Sequence, residues 1–255
     1  MNIPPPPQAA HGVYRRRIVL QAEGQRVFAA LEDDFHHLYA EIVHDGQVVT
    51  AASGKSLRIP RDSCPAAVVR MQDFVGLPLS GGARGIDPLQ HCTHLFDLGR
   101  YAMTHAARGG RRQYDITVPD PVDKRCRPEI LRDGQPVLQW QVAGAHIVAP
   151  EEFACDNLFG KVNWKHFEPD TLEAAMLLRR GIWISYGRVA KTRFENGREP
   201  PAGSWMPTNL AGACHSFQPA VFKTSKQIDG SVWDFTDRAE ALLAELPRDG
   251  SIPTF

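Results

Sequence analysis

Alternating apolar runs broken by turn residues fill the chain from Val13 to Leu57: Arg17 to Ala22, Arg26 to Leu31, Leu38 to Val43 and Val48 to Ala52. The last two are joined through His44-Asp45-Gly46. Asp-Gly between such runs is the strongest short hairpin signal, because both central residues of a type I′ turn need positive φ. A small antiparallel meander is therefore expected.

Helix signals follow. Asp62-Ser63-Cys64-Pro65 predicts a helix start with Pro65 at the first helical position, and Cys64, Val68, Met71 and Val75 form one stripe before Gly76 and Pro78. Gly81 to Gly85 is a loop whose spacing matches neither a P-loop nor a Rossmann turn. Gln90 to Ala106 predicts a second helix, with Cys92, Leu95, Gly99, Ala102 and Ala106 on one stripe and His94, Leu98, Tyr101 and His105 on the next; Gly109-Gly110 ends it. Two thiols thus lie at helix starts. Further on, Arg112 to Val118 reads as a strand, and Arg132-Asp133-Gly134 as a hairpin between residues 129–131 and 137–142. Asp170 and Glu173 suggest a capping box for a helix through Leu178, which Ile182 to Tyr186 either extends or follows as a strand. Glu195 to Gly212 reads as a long loop or lid. Asp237 and Glu240 are expected to cap a last amphipathic helix carrying Ala241, Leu242, Leu243 and Leu246.

With 255 residues and 43% apolar composition the chain can bury a sizeable core. The 29 basic residues balance 29 acidic ones, so no global field draws it to nucleic acid or an anionic membrane. Residues Met1 to Pro7 lack a secretory pattern and no later stretch approaches a membrane span, which places the expected address in the cytoplasm. Pro4 to Pro7 reads as an extended arm, mobile or lying on a partner subunit of a homo-oligomer. Cys64, Cys92, Cys126, Cys155 and Cys214 are odd in number and contain no C-x-x-C pair, against a disulfide framework or zinc ribbon.

Asp33-Asp34-Phe35-His36-His37, Cys64-Pro65 and His91-Cys92-Thr93-His94-Leu95 resemble motifs of a bacterial family known as domain of unknown function 2889. Arg132-Asp133-Gly134, Trp140, Leu178-Arg179-Arg180 and Cys214 extend the resemblance from about Arg15 to the end. Members occur in bacteria that break down aromatic and other recalcitrant compounds, which implies a catabolic enzyme acting on aromatic substrates. The element order is also similar to the iron-sulfur scaffold fold of the NifU and IscU type. That likeness implies that Cys64, His91 and Cys92 fall where two cysteines and the histidine of the scaffold's ligand set lie. Where the scaffold has a cysteine followed by aspartate, this chain has Asp34 and His36, and losing the third thiolate counts against cluster assembly.

The expected fold is α+β, an antiparallel sheet plus helices. A Pro-rich arm (1–12) precedes a scaffold-like half (13–110), and a second sheet-and-helix half (111–255) closes a mostly apolar pocket. If the scaffold likeness holds, Asp34, His36, Cys64, His91 and Cys92 converge. A histidine beside a carboxylate is a general acid or base near neutrality, and helix N-termini under thiols favour thiolate or developing oxyanion. Three chemistries are compatible: acid-base cleavage without cofactor or metal, thiolate catalysis as in a cysteine-dependent hydrolase or transferase, and a metal site built from those same five residues. Core packing competes for each thiol, and His94 and His105 read as structural. Of His36 and His37, which alternate across a strand, His36 is expected to face the pocket. The function favoured is a cofactor-independent lyase on a small phenolic substrate. His36, oriented by Asp34, removes a hydroxyl proton, a carbon-carbon bond breaks in a retro-aldol-like step, and a carbonyl fragment such as formaldehyde leaves, with His91 or a lysine on the electron-accepting side. Tyr101, Trp140, Lys161, Lys165, Arg179 and Tyr186 are the candidate substrate-holding groups. The alternative from another class is a metal or iron-sulfur carrier.

Overall fold

In the computed structural model, residues 12–154, 157, 158, 160, 162–194, 211–247 and 251–253 are described. The Pro-rich arm up to residue 11, Lys161 and residues 195–210 of the expected lid from Glu195 to Gly212 lie outside them. The described residues cluster into two compact units: 12–16, 114–194 and 234–239 make one, and 17–113, 211–233 and 240–253 the other.

The alternating runs become β1 (Val13–Glu23), β2 (Arg26–Asp33), β3 (His37–His44) and β4 (Val49–Arg58). With β5 (Gly110–Pro119), β7 (Glu129–Arg132) and β8 (Gln135–Gln139) they form a seven-stranded sheet in the order β4-β3-β2-β1-β5-β7-β8. A second sheet has the order β10-β9-β6, from β6 (Arg125–Cys126), β9 (Gln141–Ala143) and β10 (His146–Ala149). The α+β class expected from the sequence is the class observed. No helix among the described residues is long and apolar enough to cross a membrane.

In the second unit, β2 is buried on both faces, Val27 to Leu31 being at most 2% exposed. Period two divides its side chains. Phe28 and Ala30 join Val19, Tyr39 and Leu243 in one cluster, with Leu246 and Ile252 against it. The other face carries α1 (Thr93–Ala106), which packs on β2, β3 and β4. Ala29 pairs with Ala40 and Ala40 with Gly54 across that face. A Cβ on Gly54 would stand 3.1 Å from Met71 and 3.4 Å from Leu95, so this row of small residues is what lets α1 settle onto the sheet. Gly99 does the same on the helix, since a Cβ there would lie 2.7 Å from the Phe74 ring.

In the first unit, α2 (Pro169–Phe194) is one helix, so Ile182 to Tyr186 extends it and is not a strand. Glu173 does not serve the expected capping box, because its carboxylate accepts from the buried Tyr114 hydroxyl at 2.7 Å. Gly181 brings α2 down to Ile116, whose Cγ2 would be 2.7 Å from an added Cβ. Trp140 is fully buried beside Phe167.

Three expectations fail locally for identifiable reasons. Residues Cys64–Phe74 wind as a 3-10 helix, and the buried stripe is Ala67, Met71 and Phe74; Val75 is exposed. Met71 and Phe74, three residues apart and so eclipsed in a 3-10 helix, turn inward with Ala67, while Cys64 and Val68 stay half-buried beside them. The Asp45-Gly46 turn is not type I′: only Gly46 has positive φ, and the Asp45 carboxylate instead accepts from Gln47 and Val48 N–H. Residues 237–246 hold only a short 3-10 turn, Ala239–Ala241. There the Leu243 N–H donates to Glu32, the Leu242 carbonyl accepts from Arg17, and Leu243 has φ 52°, so tertiary bonds replace helical ones.

Candidate functional site

Asp33 builds the turn between β2 and β3. Its Oδ1 accepts from the N–H of Phe35 at 2.8 Å and of His36 at 2.7 Å, while its own N–H donates to the His36 carbonyl at 2.8 Å. This is an Asx turn, in which a short carboxylate replaces the backbone acceptor. The same oxygen lies 3.1 Å from His36 Nδ1. An ionised carboxylate accepts only, so it holds the proton on Nδ1 and leaves Nε2 as the basic nitrogen.

From the first turn of α1, His94 brings its ring against His36, with centroids 3.9 Å apart and planes inclined by 34°. Asp33, His36 and His94 each place a ligating atom within 4.8 Å of the others. Asp33 is buried, His94 is 6% exposed, and the His36 side chain keeps 12% of its surface. One carboxylate and two imidazoles at this spacing can move a proton, and they are also the donor set that holds a divalent transition metal.

Arg58, at the end of β4, locks the turn from behind. It donates to the carbonyls of Asp33 at 2.6 Å, Asp34 at 2.9 Å and Ser231 at 3.1 Å, and to the Glu32 carboxylate at 3.1 Å. Its guanidinium stacks over the half-exposed Trp233 ring at 4.3 Å, and the Trp233 N–H donates to the Asp34 carbonyl.

His37 joins a different group. Its Nε2 is 2.8 Å from Glu245 and its Nδ1 3.5 Å from Glu32. Tyr39 donates to the same Glu245, and burial together with that carboxylate pushes the phenol well above its usual range. The shallow depression lined by Val19, Gln21, Phe28, Arg111 and Leu246 shares no residue with the His36 cluster.

The thiols gather around the residues that precede α1. Cys92 is the N-cap, and burial, followed by the nearby Cys64 and Cys214, pushes its thiol up to about 12. Burial likewise raises Cys64, whose sulfur accepts from Ser216 at 3.3 Å. His91 Nε2 lies 3.1 Å from Asp73; burial lowers the ring's pKa, with Asp73 pulling the other way.

The five expected site residues therefore divide. His36 is in the cluster, but its carboxylate is Asp33, and Asp34 is a buried neighbour whose carbonyl anchors Arg58 and Trp233. Cys64, His91 and Cys92 belong to the thiol region and have Ser216, Asp73 and the other thiols as neighbours. His94, expected to be structural, stacks on His36, whereas His105, in the last turn of α1, donates from Nε2 to the Gly110 carbonyl at the start of β5. Tyr101 is buried against Arg100, which donates to its hydroxyl at 2.9 Å. In the first unit, Arg179 is committed to the carbonyls of Leu158 and Gly160, Tyr186 donates to the Gly144 carbonyl, and Lys165 is exposed. Asp33, Arg58, Trp233 and Cys214 had no assigned role in the sequence reading; strand parity was the available signal for Asp33, since 27, 29, 31 and 33 share a face.

No protein-family model matches the chain, and no curated protein matches it.

Proposed function

We propose that the chain is a carbon-carbon lyase that works by acid-base catalysis on a small phenolic substrate and needs no cofactor. The observation that carries this reading is the His36 ring, fixed by Asp33 at Nδ1 and stacked on His94, with Nε2 as its basic atom. In the reaction, Nε2 removes the proton of a hydroxymethyl group. The O–H electrons become the carbonyl bond of departing formaldehyde, and the carbon-carbon pair moves into a ring-conjugated acceptor. That acceptor takes back one proton at oxygen, with His94 as the adjacent donor, so substrate equals product plus aldehyde. Asp33 stabilises the imidazolium while it exists. The substrate class comes from the family resemblance of the Asp33 to His37 and His91 to Leu95 motifs. A small aromatic molecule is thus the partner, with neither nucleic acid nor membrane required, in a cytoplasmic setting.

The test is formaldehyde release from a panel of phenolic compounds bearing a hydroxymethyl group next to the conjugated carbon. His36→Ala should lower turnover about 10²- to 10⁴-fold, the usual contribution of a positioned base. Turnover that persists in both His36→Ala and His94→Ala removes the basis of the proposal. The 4.8 Å grouping of Asp33, His36 and His94 favours one second reading, a divalent-metal protein. Metal analysis after equilibration with Zn²⁺ and Fe²⁺ separates the two: one tightly held equivalent that Asp33→Ala abolishes supports the metal.

A further inference from the structure

Residues 213–218 are tied to residues 89–93, the approach to α1, by three hydrogen bonds. The His215 N–H donates to the His91 carbonyl at 2.8 Å, the Thr93 hydroxyl to the Ala213 carbonyl at 2.9 Å, and the Gln218 amide to the Leu89 carbonyl at 2.7 Å. Since His91 is bonded to His215 and Thr93 to Ala213, Cys92 and Cys214 are each flanked by the two residues that make these bonds, which brings their backbones side by side. Cys64 and Cys214 both lie close enough to Cys92 to help raise its thiol's pKa, so the three sulfurs share one region. Cys64 is held on the same segment by Ser216, whose hydroxyl also accepts from Ser63 at 2.9 Å. None of the three is in a disulfide, and all are half-buried.

We propose that Cys92 and Cys214 are a redox pair that closes to a disulfide, latching residues 211–217 onto the head of α1, with Cys64 as the thiol left over beside it. The oxidant is a small-molecule disulfide. Cys214 attacks it as thiolate and forms a mixed disulfide, expelling one small thiol; Cys92 then attacks the Cys214 sulfur and expels the second. Two protein thiols are oxidised, the small disulfide is reduced to two thiols, and the two hydrogens leave with them. Cys92 is the N-cap of α1 and lies two residues before His94, so the bond would pin the helix start that carries that ring. The pairing is independent of any reaction at His36, because it rests on the hydrogen bonds that flank the two cysteines.

The full chain, reduced and then incubated with oxidised glutathione, would be alkylated in denaturant and mapped by peptide mass spectrometry. The expected product is a Cys92–Cys214 linked peptide with the chain lighter by two hydrogens, formed equally by Cys64→Ser. Cys92→Ser should instead trap glutathione on Cys214. Wild-type chain that yields only glutathione adducts, a Cys64 linkage as the main product, or no loss of thiols would overturn the proposal without any variant having to fold.

Discussion

Replacing Arg58 by Met tests whether one buried guanidinium holds the His36 turn. The side chain is 9% exposed and donates to the carbonyls of Asp33, Asp34, Ser231 and, at 3.5 Å, His36, and to Glu32, whose own side chain is 3% exposed. Met occupies most of the stem volume, so little cavity is created, and the cost is electrostatic. Glu32 would keep only the Leu243 N–H at 2.7 Å and the more distant His37. Removing one member of a buried ion pair costs about 3–5 kcal/mol, because the other charge stays buried. Loss of the cation-π contact with Trp233 adds roughly 0.5–1 kcal/mol. A total of about 3.5–6 kcal/mol is a large part of the roughly 5–15 kcal/mol that usually separates folded from unfolded chains. Urea unfolding followed by tryptophan fluorescence should show the midpoint falling at an unchanged slope. Arg58→Lys should fall between, since one ammonium cannot reach all of these acceptors. A loss under about 1 kcal/mol for Arg58→Met would refute the reasoning, for exposed pairs are worth that much at most.

Three further outcomes follow from the same geometry. Asp33→Ala, which strips three hydrogen bonds to one carboxylate oxygen, should lower stability by about 2–3 kcal/mol, while Asp33→Asn, whose amide oxygen can still accept from the two backbone N–H groups, should lose roughly half as much; equal losses in thermal unfolding would contradict the Asx turn. Gly99→Ala sets a Cβ 2.7 Å from the Phe74 ring, so overpacking of about 1–3 kcal/mol opposes a helix-propensity gain near 1 kcal/mol, and the net loss should shrink when Phe74→Leu makes room. His91 is protonated less readily folded than unfolded, so its contribution is complete above its usual value of 6.5 and is lost as pH falls below it. Wild type should therefore lose more stability than His91→Asn between neutral and mildly acidic pH, and parallel pH curves would contradict the buried neutral ring.

Much of the sheet was legible in the chain itself. Period-two runs from Arg17 to Ala52 and the Arg132-Asp133-Gly134 turn, with φ 52° at Asp133 and 80° at Gly134, announce strands and a hairpin through local sterics alone. The helix from Thr93 to Ala106 and its end at Gly109-Gly110 are written in the same way. The site was legible in its residue types and only partly in its members. His36 was recoverable, and parity along β2 could have chosen Asp33 over Asp34, because a one-residue step moves a side chain to the opposite face of the sheet.

What tertiary structure alone decided was partnership. Whether His94 packs as a core residue or stacks on His36 depends on how α1 rests on β2 and β3, which the small row Ala29, Ala40 and Gly54 controls from other elements. Residues 237–246 carry a helical pattern yet give up helix bonds because Glu32 and Arg17 offer their backbone better-placed partners. The Cys92–Cys214 alignment spans more than a hundred residues and leaves no periodic trace. Local periodicity reports which face a residue takes, whereas the group it meets there is chosen by packing between segments far apart in the chain.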